Sequence, residues 1–393
     1  LAFGQPPAAS SDGTDKSPFA AETASEPGES ACKNEQAASS GEWRAYVGVD
    51  YLLWWMKPVC LKVPVLTAGS PSDSVPGAIN QPGTVVLVGE SRFEFAGASG
   101  VRPRLGMMLD TDGWLAAEVE GFDLATVVNH QGFSTNAGSG PTYLPYQAPD
   151  NSQQSLPFTI PGVVNGSVSA TGTSHLWGAE ANGVANLLSS QWGCVRLQGS
   201  LLAGFRYLDL WDQITLRNTQ SLVADPSISV YGEDTFVTHN QFYGVQVGNR
   251  FVASGPCWSV EGVLKLAFGE TRLANNFEGT PLAGTPIQPG LIPGPIQVLP
   301  SNAGENSVYR VSLAPEIAIT ARYCPTRHVV LSLGYSLLYL NRILCPGDLM
   351  DTHVNPTQLP FQGPTTGALV PAVQDLHTDY FAQGLNAGLE FRF

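Results

Sequence analysis

Charge is scarce in this 393-residue chain: 13% of residues are Asp, Glu, Lys or Arg, about half the share of an ordinary soluble domain. The charge present leans acidic, 33 acids to 19 bases and a net −14. That excludes a general nucleic-acid binder, which needs a basic surface. No uninterrupted run of about 18 apolar residues occurs, so no helix is predicted to span a bilayer. No Cys-x-x-Cys or paired-His spacing marks a metal site, and no Gly-rich phosphate loop or nucleophile elbow marks a cofactor or an acyl enzyme. No cofactor and no enzymatic activity are expected. What the chain does have is a mean hydropathy near zero (+0.01), which disordered chains do not reach. It also has 42 glycines and 30 prolines, so turns and loops are plentiful.

The first residues do not read as a domain. Leu1 to Gln5 fit the remnant of a signal peptide, without the charged and apolar regions that would establish one. From Pro6 to Gly41 the chain is Ala, Ser, Glu, Pro and Gly with almost no large apolar side chain. Residues 1–42 are predicted to be a disordered periplasmic tail, and 43–393 one folded unit.

After Glu42 the hydrophobic period is two, which is the period of a strand. From Val195 to Leu208, Val195, Leu197, Leu201, Phe205 and Tyr207 share one side, and Arg196, Gln198, Ser200 and Arg206 the other. The same alternation predicts strands at 44–55, 101–109, 114–122, 175–187, 240–251, 258–268, 309–323, 328–339 and 384–393. Ten strands result, joined alternately by short turns (110–113, 189–192, 253–256, 324–327) and long loops (57–98, 124–173, 210–235, 273–306, 343–379). Short turns at one end and long loops at the other are the layout of an all-β, antiparallel up-and-down transmembrane barrel, with periplasmic turns and extracellular loops. Both termini then fall at the periplasmic end. Twelve strands is the alternative, if parts of the long loops pair. Tryptophans cluster at both strand ends, Trp43, Trp114, Trp192 and Trp258 at one and Trp54, Trp55, Trp177 and Trp211 at the other, as two interfacial girdles would. A soluble sandwich explains the alternation with the apolar face inward, but not the one-ended loops. Pro103 and Pro315 fall inside strands, where each is expected to mark a bulge.

The chain ends Asn386-Ala387-Gly388-Leu389-Glu390-Phe391-Arg392-Phe393. Asn386, Gly388, Phe391 and Phe393 resemble the C-terminal signal that bacterial outer-membrane barrels present to the barrel assembly machinery. A last strand with open backbone groups suits recognition by β-augmentation. The resemblance implies the bacterial outer membrane, with lipid and the assembly machinery as partners. Further blocks resemble the planctomycete β-barrel porin family, type seven. They are Tyr51-Leu52-Leu53-Trp54-Trp55, Val63-Pro64-Val65-Leu66-Thr67-Ala68-Gly69, Ser99-Gly100-Val101-Arg102 with Leu105-Gly106, Gly204-Phe205-Arg206-Tyr207-Leu208, Asn240-Gln241-Phe242-Tyr243-Gly244, and Pro346-Gly347-Asp348 with Asn355-Pro356-Thr357. Cys345 stands where that family usually has Arg. The resemblance implies fold and location more than activity.

The implied compartment is oxidising, where disulfides persist. Cys257 and Cys324 fall at short-turn ends of neighbouring strands, and Cys60 and Cys345 just past outer strand ends. These are the two candidate pairs, although six cysteines allow 15 connectivities. Cys194 lies on the short-turn side and Cys32 in the tail.

With polar faces turned inward, the predicted lumen lining is Asp50, Arg102, Arg104, Glu118, Glu120, Glu180, Arg196, Arg206, Arg250, Glu261, Lys265, Arg310, Glu316, Arg322, Arg342, Glu390 and Arg392. Ten bases against seven acids predict a mildly cationic interior under acidic loops. Ten strands lie near the narrow end of barrel sizes. Two functions follow: a porin passing small solutes or anions through an Arg/Glu-lined path, or a plugged scaffold whose long loops bind partners. An enzyme is the third. Ten-stranded barrels include the omptin proteases, with acids and a His near the outer rim, and Asp351, His353, Asp375, His377 and Asp379 share the last long loop. A solvated polar loop is the preferred reading. The sequence sets neither solute nor oligomeric state.

Overall fold

A strand whose two faces differ in polarity must be given two different surroundings. The computed structural model describes residues 44–135, 139–280, 295–359 and 364–393; the predicted tail and Trp43 lie outside the described residues. The strands are β1 (Ala45–Met56), β2 (Val59–Ala68), β3 (Val85–Phe93), β4 (Ala98–Met108), β5 (Leu115–Leu124), β6 (Val127–Ser134), β7 (Thr142–Gln147), β8 (Gln153–Thr159), β9 (Val164–Trp192), β10 (Val195–Leu222), β11 (Ser229–Ser254), β12 (Trp258–Thr280), β13 (Gly304–Thr326), β14 (Val329–Ile343) and β15 (Thr378–Arg392).

Ten of them close a ring in the order β1, β4, β5, β9, β10, β11, β12, β13, β14, β15 and back to β1, every pair antiparallel. The pairing passes from Met56 through Ala382, Leu338, Glu316, Lys265, Gly248, Leu202, Val184, Ala116 and Met108. It returns opposite Arg44, whose carbonyl accepts from the Met108 amide. From position 56 to position 44 the stagger is twelve residues, which tilts the strands by about 40°.

The apolar faces point out. Val245, Leu333 and Ile319 are 64%, 61% and 60% exposed, whereas Glu180 and Arg206 are 6% and 3%. A soluble sandwich would show the reverse, so the outer belt is the lipid face. Trp114, Trp192 and Trp258 are exposed at the periplasmic end, and Trp55 and Trp177 at the outer end. Trp54 leaves the predicted girdle. It is the neighbour of Trp55 on one strand and therefore faces inward, where its indole N–H donates to Asn386 Oδ1 at 2.8 Å.

The long connections are not plain loops. Positions 210–235 continue the β10–β11 hairpin, and β9 to β13 run 23 to 29 residues each. A membrane crossing needs only about 9–11. The upper halves therefore stand outside the membrane, and there the pattern inverts: Ile214, Leu216 and Phe236 are buried inside while Arg217 and Thr219 are exposed outside. Loop strands do pair, but not into a twelve-stranded ring. β3, β2, β7 and β8 form a separate four-stranded sheet, and β6 lies along the upper part of β9.

Neither proline makes a bulge. Val49 faces Pro103 and Leu266 faces Pro315 in unbroken register. Pro315 lacks the N–H that would point at β14, and the β13–β14 ladder begins one residue later, at Glu316. The nearby irregularity sits in β14 instead, between Leu340 and Ile343, where Arg342 has φ 54°. Side chains replace the missing rungs: Leu313 N donates to Asn341 Oδ1 at 2.7 Å, and Arg342 donates to the Val311 carbonyl at 3.1 Å.

Candidate functional site: the barrel interior

Inward residues of the membrane-spanning half meet in one ion-paired layer. Strands β1 and β4 set Asp50 against Arg102 at 2.7 Å and Arg104 at 2.9 Å. β11, β12 and β13 join Arg250, Glu261 and Arg322, with Arg322–Glu261 at 2.7 Å, and β5 adds Glu118 to Arg250 at 2.6 Å. Arg206 binds Glu180 at 2.7 Å and also Glu316. Lys265 binds Glu180, and reaches Glu120 at 3.4 Å. Glu390 takes Arg392 at 2.8 Å and Arg104 at 3.7 Å. Buried charges need partners, and here seven acids and seven bases supply them to one another. Neutral side chains missed by a search for charges complete the layer. Asn182 donates to Glu180 at 2.8 Å, and Asn386 joins Trp54 to Ser336 Oγ at 2.8 Å. Their inward parity was the signal that could have found them.

Three predicted lining residues stand apart. Arg196 is half-buried near the β9–β10 turn, away from the ion pairs above. Arg310 and Arg342 are exposed and take no part in the ion-paired layer. Arg310 lies above Pro315, where β13 has no β14 neighbour to cover it, and the positive φ of Arg342 turns its side chain back to β13. Without these two the predicted set holds eight bases and seven acids, and the excess of +3 shrinks to +1.

Above the ions lies an apolar layer. Leu52, Trp54, Leu176, Leu208, Phe242, Leu338 and Leu340 point inward from around the ring and pack as one cluster. Above that, the β3-β2-β7-β8 sheet and the segments 295–303 and 343–359 fill the upper barrel. Leu61, Leu66, Phe93 and Phe158 of the cap pack on Ile214, Leu216, Phe236 and Phe277 of the wall. Asp234 Oδ2 holds this filling by accepting from Gln297 N at 3.0 Å and Val298 N at 2.8 Å. Asn240 does the same for Leu344, through both amide atoms. Gly347 lies so close to β2 that a Cβ on it would stand 1.6 Å from the Cys60 carbonyl.

Neither candidate disulfide exists: Cys60, Cys257, Cys324 and Cys345 are free thiols. Cys324 N donates to Cys257 O at 2.8 Å. Such a hydrogen-bonded pair sets Cα atoms about 5.5 Å apart with side chains parallel, wider at Cβ than a disulfide takes. Cys60 turns its Sγ toward the Pro58 carbonyl. Cys345 is buried in the cap cluster, which pushes its thiol up to about 12. Cys32 lies outside the described residues.

The acid–His group is split between two places. Asp351 accepts from His353 N at 3.0 Å, His353 Nδ1 at 2.8 Å and Ala372 N at 3.0 Å, the work of a turn clamp. His377 meets Asp375 at 3.3 Å on an exposed stretch. Within the terminal motif, Asn386 is buried while Phe391 and Phe393 lie in the lipid belt.

A search of curated proteins finds no match to the chain. Among solved structures it is similar to the outer membrane protease OmpT from Escherichia coli, at 10% identity over 89% of this chain and 97% of that one, TM-score 0.40. It is also similar to a Pseudomonas aeruginosa FadL homologue, at 8% identity over 93% and 94%, TM-score 0.20. The Pseudomonas putida toluene transporter TodX follows at 9% identity over 91% and 92%, TM-score 0.18. The family described as Putative beta barrel porin-7 (BBP7) matches residues 46–393. With its ring of ten strands and its lipid-facing belt, this chain belongs to that β-barrel porin family of the bacterial outer membrane.

Proposed function

We propose that the barrel is a closed outer-membrane scaffold whose outer cap binds partners, rather than an open path for solutes. The observation that carries this reading is the stack of three filled layers: seven acids paired with seven bases, an apolar cluster above them, and a folded cap above that. Water and ions cross an open channel along a hydrated lumen. Here the hydrated groups bind each other and the next layer offers only hydrocarbon. The neutral pairing also leaves little charge to select anions, the premise of the rival narrow-pore reading.

The test is conductance of the refolded protein in a planar bilayer. Silence with insertion verified is expected. Stable discrete current steps would overturn the closed barrel, and anion selectivity in them would favour the narrow pore. The partner-binding half has its own test. Removing Thr142–Thr159 deletes β7 and β8, which are not in the ring. Insertion should survive and binding at the cell surface should fall; an unchanged binding profile would move the function elsewhere.

A further inference from the structure

One row of inward side chains between the apolar layer and the cap is polar. Ser174 on β9 faces Asp212 on β10, Asp212 faces Thr238 on β11, and Thr238 faces Asn275 on β12. All four are buried. The rows beneath and above it, including Leu176, Leu210, Ile214 and Phe236, are largely apolar. Yet Asp212 Oδ1, Thr238 Oγ1 and Asn275 Nδ2 have no hydrogen-bond partner, and neither has the hydroxyl of Tyr380. Ser174 Oγ is close enough to act on the carboxylate, but without hydrogen-bond geometry. Tyr380 is on β15, across the ring, and is near enough for the Asp212 charge to act on it.

A buried polar group normally finds a partner, and a buried charge is paired or bound to a metal ion. Asp212 has no ion pair among the described residues. Lys57, whose charge acts on it, turns its ammonium to Thr378 Oγ1 at 2.9 Å and to the Asp379 carbonyl. Asp234, also buried, is satisfied by two backbone amides; Asp212 has no such help. No group of three His, Cys, Asp or Glu placed to hold a metal ion occurs among the described residues, so a transition-metal or calcium cage is the wrong chemistry. One carboxylate ringed by neutral oxygens matches one positive charge. A half-turn of the Asn275 amide presents its oxygen as well.

We propose that this buried polar row binds one dehydrated monovalent cation, held by Asp212 Oδ1 with the hydroxyl oxygens of Ser174, Thr238 and Tyr380. The cation ties the middles of β9, β10 and β11 to β15 on the opposite wall. It is a structural ion at the top of the membrane-spanning half, not a permeating one.

The experiment is thermal unfolding of the refolded full chain in sodium, potassium and choline chloride at equal ionic strength. Ligands that bind only the folded state raise its unfolding midpoint. For the unmodified chain we expect sodium or potassium to raise the midpoint by about 3 °C or more over choline, which is too large to enter. Asp212→Asn should refold and lose that difference. Thr238→Val removes one oxygen while keeping the carboxylate, and it serves if the first variant does not refold; its difference should shrink. Equal midpoints for the unmodified chain in all three salts would overturn the proposal. So would a difference that persists in full in both variants.

Discussion

A Cβ on Gly388 would stand 2.0 Å from Asp50 Oδ1 and 2.4 Å from Ser332 Oγ. The small residue of the C-terminal motif thus makes room for the carboxylate that pairs with Arg102 and Arg104. Gly388→Ala should destabilise the refolded protein by about 1–3 kcal/mol, the usual cost of overpacking. Refolding into detergent, with no assembly machinery present, separates this cost from any effect on targeting. An unfolding curve unchanged from that of the unmodified chain would show that β15 shifts at no cost.

Removing Glu261 leaves Arg322 and Arg250 without their shared carboxylate. Breaking one side of a buried pair costs about 3–5 kcal/mol, so Glu261→Ala should lower stability by that order in urea unfolding. Arg310→Ala, at an exposed position, should stay within about 0.5 kcal/mol. Equal effects of the two would refute the placement of Arg310 outside the ion-paired layer.

Thiol labelling tests the cap. With its thiol pushed up to about 12 by burial, Cys345 holds about one part in ten thousand as thiolate at pH 8. Cys257 is exposed. A maleimide should label Cys257 readily and leave Cys345 unmodified until the protein is denatured. Comparable labelling of both in the native protein would mean that the cap opens.

The Phe393 backbone pairs with Arg44 and Ala45, but its ring is exposed on the lipid side, the residue being 70% exposed. We propose that it serves recognition by the assembly machinery, as its motif resembles. Phe393→Ala should refold in detergent like the unmodified chain but accumulate less in the outer membrane of cells. Equal accumulation would remove Phe393 from that role.

The membrane-spanning half was legible because lipid imposes one rule on ten strands: Phe205 and Tyr207 outward, Arg206 inward, repeated around the ring. The outer half was not, because the rule inverts above the girdle. In β10 the apolar residues move from odd positions such as Phe205 to even positions such as Ile214 and Leu216. A strand that changes solvent looks like a strand that ends, so the alternation alone stops at Leu208 although β10 runs on to Leu222. Arg310 and Arg342 fall outside the ion-paired layer for a related reason. Parity gives the side of a strand, but only pairing says whether a neighbour covers it, and Pro315 ends that pairing. The polar group around Asp212 was invisible, since its members come from separate stretches of chain that only the ring brings together.

The length of the outer half sets what can reach the cap. From Trp211 to Leu222 β10 continues for eleven residues, which at about 3.3 Å each and a tilt of about 40° lifts its tip by about 28 Å. A molecule dissolved in the lipid meets only the smooth outer wall. A bulky, water-borne object meets the cap first and needs no contact with the membrane at all.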